Sequence, residues 1–212
     1  MKTLTYASII GAASFVLSGV THAAAITFDD LAPTSNGIST AVTSDGFDFV
    51  GDHFHIIDTF DSRLVSSGSN YLSAEAASSL GKSVTMTHAG GSLFNLIGLE
   101  VAELWLPGES LNDFSDVIIT GNQSGGGILS TSITLDGIRD GVGGVDDFQW
   151  AAIGWTNLIS VTITGANSTG AFGDYSIDNV NVSLVPEPET YALLLAGLGI
   201  VGAYARRRAI NG

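Results

Sequence analysis

The sequence predicts an all-β domain, an antiparallel β-sandwich of jelly-roll type, flanked by a signal peptide and a C-terminal transmembrane helix. Three observations carry this. Short segments alternate apolar and polar residues at the period of a strand, as in Ile159-Ser160-Val161-Thr162-Ile163-Thr164. Clusters of Gly, Asn, Asp and Ser separate them, among 27 glycines in 212 residues. The long, uncharged apolar stretches lie at the two ends.

The N-terminal run has the order of a secretory signal. Lys2 is the positive start, Tyr6 to Val20 is the apolar stretch, and Thr21-His22-Ala23-Ala24-Ala25 offers small residues to signal peptidase. Cleavage after Ala23 or Ala25 fits an A-x-A-like site, so residues 1–25 are read as a signal peptide.

Residues 26–184 are read as one domain, large enough for a real core. Expected strands are Ile26 to Leu31, Phe47 to Val50, Phe54 to Ile57, Ser83 to His88, Leu93 to Leu104, Asp116 to Thr120, Leu129 to Leu135, Phe148 to Ile153, Ile159 to Thr164 and Tyr175 to Leu184. Turns are expected at Ser44-Asp45-Gly46, Ala89-Gly90-Gly91, Asn122 to Gly127 and Asp136 to Gly144. Only Ala74 to Leu80 suggests a short helix. In the last strand the apolar residues change parity, from Tyr175 and Ile177 to Val180, Val182 and Leu184. A β-bulge at Asp178-Asn179 would keep both sets on the core; a strand buried on both faces is the alternative.

Of the 21 acidic residues only Glu187 and Glu189 lie in the ends. Of the seven basic ones, all but Arg63, Lys82 and Arg139 do, so the domain carries a net charge near −16. Such a surface repels nucleic acid and anionic lipid headgroups. The chain has no cysteine, which excludes thiol nucleophiles and cysteine-held metal clusters.

The tail is as patterned as the start. Val185-Pro186-Glu187-Pro188 is followed by the apolar run Tyr191 to Ala205 and then by Arg206-Arg207-Arg208. The prolines stop the last strand. The run falls short of the ~20 residues that span a bilayer, and the arginines can snorkel and stay cytoplasmic, leaving the domain outside. This order resembles the PEP-CTERM sorting signal, over residues 185–212. Tails of this kind also go by the name ice-binding protein C-terminal domain, which says nothing of the rest of a chain. The resemblance implies cleavage by an exosortase of exopolysaccharide-producing Gram-negative bacteria. It places the mature protein at the cell surface or in the extracellular matrix of a biofilm, with membrane contact only through the tail helix before processing.

The domain resembles exported bacterial sandwich domains that open like Ile26-Thr27-Phe28-Asp29-Asp30-Leu31 and close like Tyr175-Ser176-Ile177-Asp178-Asn179-Val180. Related galactose-binding-like and carbohydrate-binding jelly rolls hold a structural calcium between first and last strands. The resemblance therefore implies Asp29, Asp30 and Asp178 as ligands if those strands pair, since Ca²⁺ takes six to eight oxygens. Other candidates are weaker in pattern. The loop 136–147 lacks EF-hand spacing and reads as a solvated acidic loop. His53 and His55 share a strand face but have no placeable third ligand. Trp105, at a strand end before Pro107, is the candidate sugar platform; Trp150 and Trp155 point to opposite faces, so at least one is core. No nucleophile elbow, zinc-protease motif or phosphate loop is present, and Glu100 and Glu103 fall on opposite strand faces. The expectation is a structural, adhesive or polysaccharide-binding surface protein, not an enzyme. The alternative is a secreted glycan-active hydrolase.

Overall fold

The structure, a computed structural model, describes residues 23–34, 39–58, 67–74, 83–102, 115–135, 148–167, 174–186 and 188–210. The strands are β1 (Ala23–Ile26), β2 (Ser39–Ser44), β3 (Phe47–Ile57), β4 (Tyr71–Ala74), β5 (Ser83–His88), β6 (Phe94–Ala102), β7 (Ser115–Gln123), β8 (Ile128–Thr134), β9 (Gln149–Asn167) and β10 (Tyr175–Leu184); a helix, α1 (Pro188–Ile210), follows. Every strand pairing is antiparallel. The pairings close a circuit: β10 bonds β4, β4 bonds β3, β3 bonds β5, β5 bonds β9, β9 bonds β6, and β6 returns to β10. Closure leaves no bare edge within the ring. β1 extends it beside β10, β2 beside β3, and the β7–β8 hairpin beside β9.

β9 turns the corner of the sandwich. Its first half pairs with β6 from Gln149 to Leu158, and its second half with β7 and β5. Between the halves Gly154 and Asn157 take positive φ, 72° and 57°, and the register slips. A strand that changes sheets needs such a break. The core inside the ring is built from alternate residues, including Phe49, Phe54, Met86, Leu96, Val161, Ile163, Ile177 and Val182, all essentially without exposed surface.

The sandwich agrees with the expected fold class, and local details differ. Phe47 to Ile57 is one strand rather than two, and so is Gln149 to Asn167. β2 and β4 were not among the expected strands; β4 (YLSA) is four residues long and buried throughout, too short to show a period. The first strand ends at Ile26 instead of running to Leu31. Phe28 adopts φ 57°, and the Leu31 N–H donates to the Phe28 carbonyl at 3.1 Å, closing a turn. Phe28 is held in this disfavoured conformation by full burial against Phe49, ring centroids 5.0 Å apart. β1 instead begins at Ala23, so the paired domain includes three residues assigned to the signal peptide. The rest of the expected signal peptide, the short helix after Ala74 and the acidic loop 136–147 lie outside the described residues.

Candidate functional site

The parity change in β10 is a register shift between Asp178 and Asn181, with Asn179 at φ 47°. The strand is also buried on both faces from Tyr175 to Asp178, where β4 and β6 bond both its edges. Asp178 has no exposed surface. Its Oδ1 accepts the Asn179 N–H at 2.7 Å and its Oδ2 accepts the Ser69 hydroxyl at 2.9 Å. Burial pushes its carboxyl from the usual 3.8 up to about 6; hydrogen bonds from Ser67, the Asn179 backbone and Ser69 oppose the rise, and the charge of Glu100 adds to it. Glu100 stands opposite Asp178 in the β6–β10 ladder, and its Oε2 accepts from the Asn179 Nδ2 at 2.8 Å. The bulge thus lets Asn179 satisfy a carboxylate on each side.

The terminal strands pair, as the calcium expectation required, from Ala23 opposite Ser183 to Ile26 opposite Val180. The three aspartates nevertheless serve different places. Asp29 Oδ1 accepts the Asn70 N–H at 2.9 Å, next to the Ser69 that serves Asp178. Asp30 accepts the Ser44 hydroxyl at 2.6 Å and the Asp45 N–H at 3.2 Å, in the β2–β3 turn. Among the described residues no group of three or more His, Cys, Asp or Glu could hold a metal ion. His53 and His55 do share a face, with ring centroids 5.3 Å apart.

Trp105 and Glu103 lie outside the described residues. Trp155 is partly buried and packs on the core, whereas Trp150 is 48% exposed. Trp150 is opposite Glu100 in the β6–β9 ladder, so β9, β6 and β10 bring Trp150, Glu100 and Asp178 into one row. The Trp150 indole lies over Gly98: a Cβ on Gly98 would sit 2.5 Å from Trp150 Cζ2. Glycine is required here to let the ring settle against the sheet. No local pattern signals this seat, since residues 98 and 150 meet only through the ladder.

At the other end of β10, the Val185 N–H donates to the Leu93 carbonyl at 2.8 Å, and Val185 and Pro186 are half-buried. Glu187 lies outside the described residues, and Pro188 opens α1, where its missing N–H costs nothing. Arg206, Arg207 and Arg208 are exposed near the helix C-terminus, favourably placed toward its negative end. From Leu195 onward the apolar residues of α1 are exposed on every side: Leu195, Leu198, Ile200, Val201 and Tyr204 are 57–72% accessible. The expected transmembrane helix needs a correction. Among the described residues no helix is long and apolar enough to cross a membrane. The 23-residue helix could reach ~34 Å, but its apolar part, Tyr191 to Ala205, covers only ~22 Å.

Residues 184–208 match the family model described as the PEP-CTERM protein-sorting motif. This chain carries a PEP-CTERM sorting motif. The motif marks an exported protein, anchored to or processed at the cell envelope. A comparison with curated proteins finds no match. Among solved structures, TmCBM61 in complex with β-1,4-galactotriose is similar at 13% identity and TM-score 0.36, over 68% of this chain and 90% of that one. The arabinose-bound MgGH51 α-L-arabinofuranosidase is similar at 12% identity and TM-score 0.42, over 76% of this chain and 26% of that one. The CBM22-1–GH10 modules of xylanase 10B from Clostridium thermocellum, complexed with xylohexaose, are similar at 10% identity and TM-score 0.38, over 79% and 29%. Likenesses this distant carry no argument about what the PEP-CTERM protein binds.

Proposed function

We propose that this PEP-CTERM protein is exported through its N-terminal signal, seated in the membrane by α1, cleaved by exosortase near Val185–Pro188, and left at the cell surface, where its sandwich binds polysaccharide. The observation that carries the binding reading is Trp150. Its indole is braced from below by the Gly98 backbone and half-exposed above. A sugar ring can stack its apolar face on such a platform while Glu100, in the same row, accepts hydrogen bonds from its hydroxyls and Asn179, bonded to Glu100, donates to them. The membrane seat of α1, short of a full crossing, is supported by the exposed apolar surface of Leu195 to Tyr204.

A second reading, a glycan-active hydrolase, draws on Asp178 and Glu100: two facing carboxylates, one with its pKa raised to about 6. The binding reading is preferred because Asp178 has no exposed surface and both its oxygens are already occupied. The test is a glycan array with residues 23–186. The expected outcome is binding without hydrolysis, with Trp150→Ala lowering affinity about tenfold, or ~1.4 kcal/mol. Unchanged binding in Trp150→Ala would move the site elsewhere. Glycan cleavage abolished by Asp178→Asn would establish the hydrolase.

A further inference from the structure

The domain is strongly acidic, yet the described strand segments beside the tail carry no charge, and the next acids are Glu187 and Glu189 of the tail itself. Residues 89–99, 117–135, 148–167 and 179–186 contain no Asp, Glu, Lys or Arg. Hydrogen bonds and ladder pairs join the ends of these segments into one surface. Val185 bonds Leu93, Phe94 is opposite Leu158, Asn157 N–H donates to Asn95 Oδ1, and Ser124 N–H donates to the Asn157 carbonyl. These segments expose large aliphatic side chains, among them Ile128 at 72%, Ile159 at 52%, Ile97 at 42% and Leu184 at 40%. Among the described residues, acid returns beyond the His88–Gly91 turn, with Asp30, Asp45 and Asp48 around the β2–β3 turn.

The tether fixes where this surface must be. Val185 is bonded to the sandwich and α1 begins at Pro188. Three residues span at most about 10 Å, so a membrane-seated helix holds this end of the domain close to the bilayer. We propose that the neutral end, with Ile128, Ile159 and Leu184, rests on the lipid surface while α1 is in the membrane. The inference rests on the membrane seat proposed above. It fits the charge: an acidic end would be driven off by anionic headgroups, whereas an uncharged end with protruding aliphatics can settle into the interface. It also assigns Ile128 a role that folding does not, since that side chain sits on the outer face of an edge strand.

The absence of cysteine makes the test direct. Single cysteines replace Ile128, Ile159, Thr134 or Leu198 in the full-length chain. Each carries a fluorophore, and the protein is placed in phosphatidylcholine vesicles containing a headgroup-nitroxide lipid. Thr134 is the control, at the far end of the strand that begins with Ile128, about 20 Å away. The expected result is that labels at 128, 159 and 198 lose most of their emission and the label at 134 keeps it. Two positions on the surface guard against a variant that fails to fold. Quenching at 198, with 128 and 159 as bright as 134, would overturn the inference and leave the membrane seat of α1 standing, with the neutral end then free for the exosortase itself. No quenching at 198 would overturn both.

Discussion

The sandwich and the tail treat apolar side chains in opposite ways. Leu72, Leu96 and Leu99 in the strands have almost no exposed surface, while Leu195 and Leu198 in α1 are 68% and 57% exposed. The strands find their apolar partners within the ring, whereas the helix finds none among the described residues. The same residue type therefore reports stability in one region and location in the other.

Truncation should separate the two most sharply. Leu96→Ala is expected to destabilise the sandwich by about 2–5 kcal/mol in urea unfolding. Leu198→Ala should change it by less than about 0.5 kcal/mol. An equal loss from both would mean that α1 packs on the domain, and the contrast would fail.

Asp178 sharpens the account of the core. Its folded pKa, about 6, lies above the usual 3.8. The folded state therefore holds a proton between those values that the unfolded chain has released, and Asp178 makes stability fall as pH rises from about 4 to about 6. Asp178→Asn removes that cost. At pH 7–8 it should be more stable than the parent by on the order of 3 kcal/mol, and the gap should close below about pH 4. Chemical denaturation across this range reads it directly; a variant less stable at every pH would mean that the hydrogen bonds from Ser69 and Asn179 outweigh the buried charge.

A smaller effect is expected at the β2–β3 turn. Asp45 and Gly46 both take positive φ, 48° and 80°, the requirement of the tightest hairpin turns. Gly46→Ala should cost roughly 1 kcal/mol through conformation alone, because no atom lies within 4 Å of the added Cβ. No loss in thermal unfolding would mean that this turn relaxes to another type.

Legibility in the sequence followed the range of the interactions. The alternating segments, the Asp45-Gly46 turn and the β10 bulge are local patterns, and the structure contains all three. The tail was equally readable, because Val185 to Arg208 carries its signal in linear order. What could not be read depends on distant pairing. Ser69 meets Asp178 across 109 positions. Asp29 and Asp30 are adjacent in sequence, but the turn at Phe28 sends one to Asn70 and the other to Ser44. Trp150 settles against the sheet only because the ladder brings Gly98 beneath it. β4 has no period because both its faces are covered.

The central claim is that the tail is a sorting device, removed once the sandwich has been delivered. Mass spectrometry of the protein recovered from the cell surface or medium tests it most directly. The account predicts a chain that begins near Ala24 or Ile26 and ends close to the Val185–Pro188 segment, without Arg206 to Arg208. Recovery of the mature protein with its C-terminal peptide Ala209 to Gly212 still attached would contradict it.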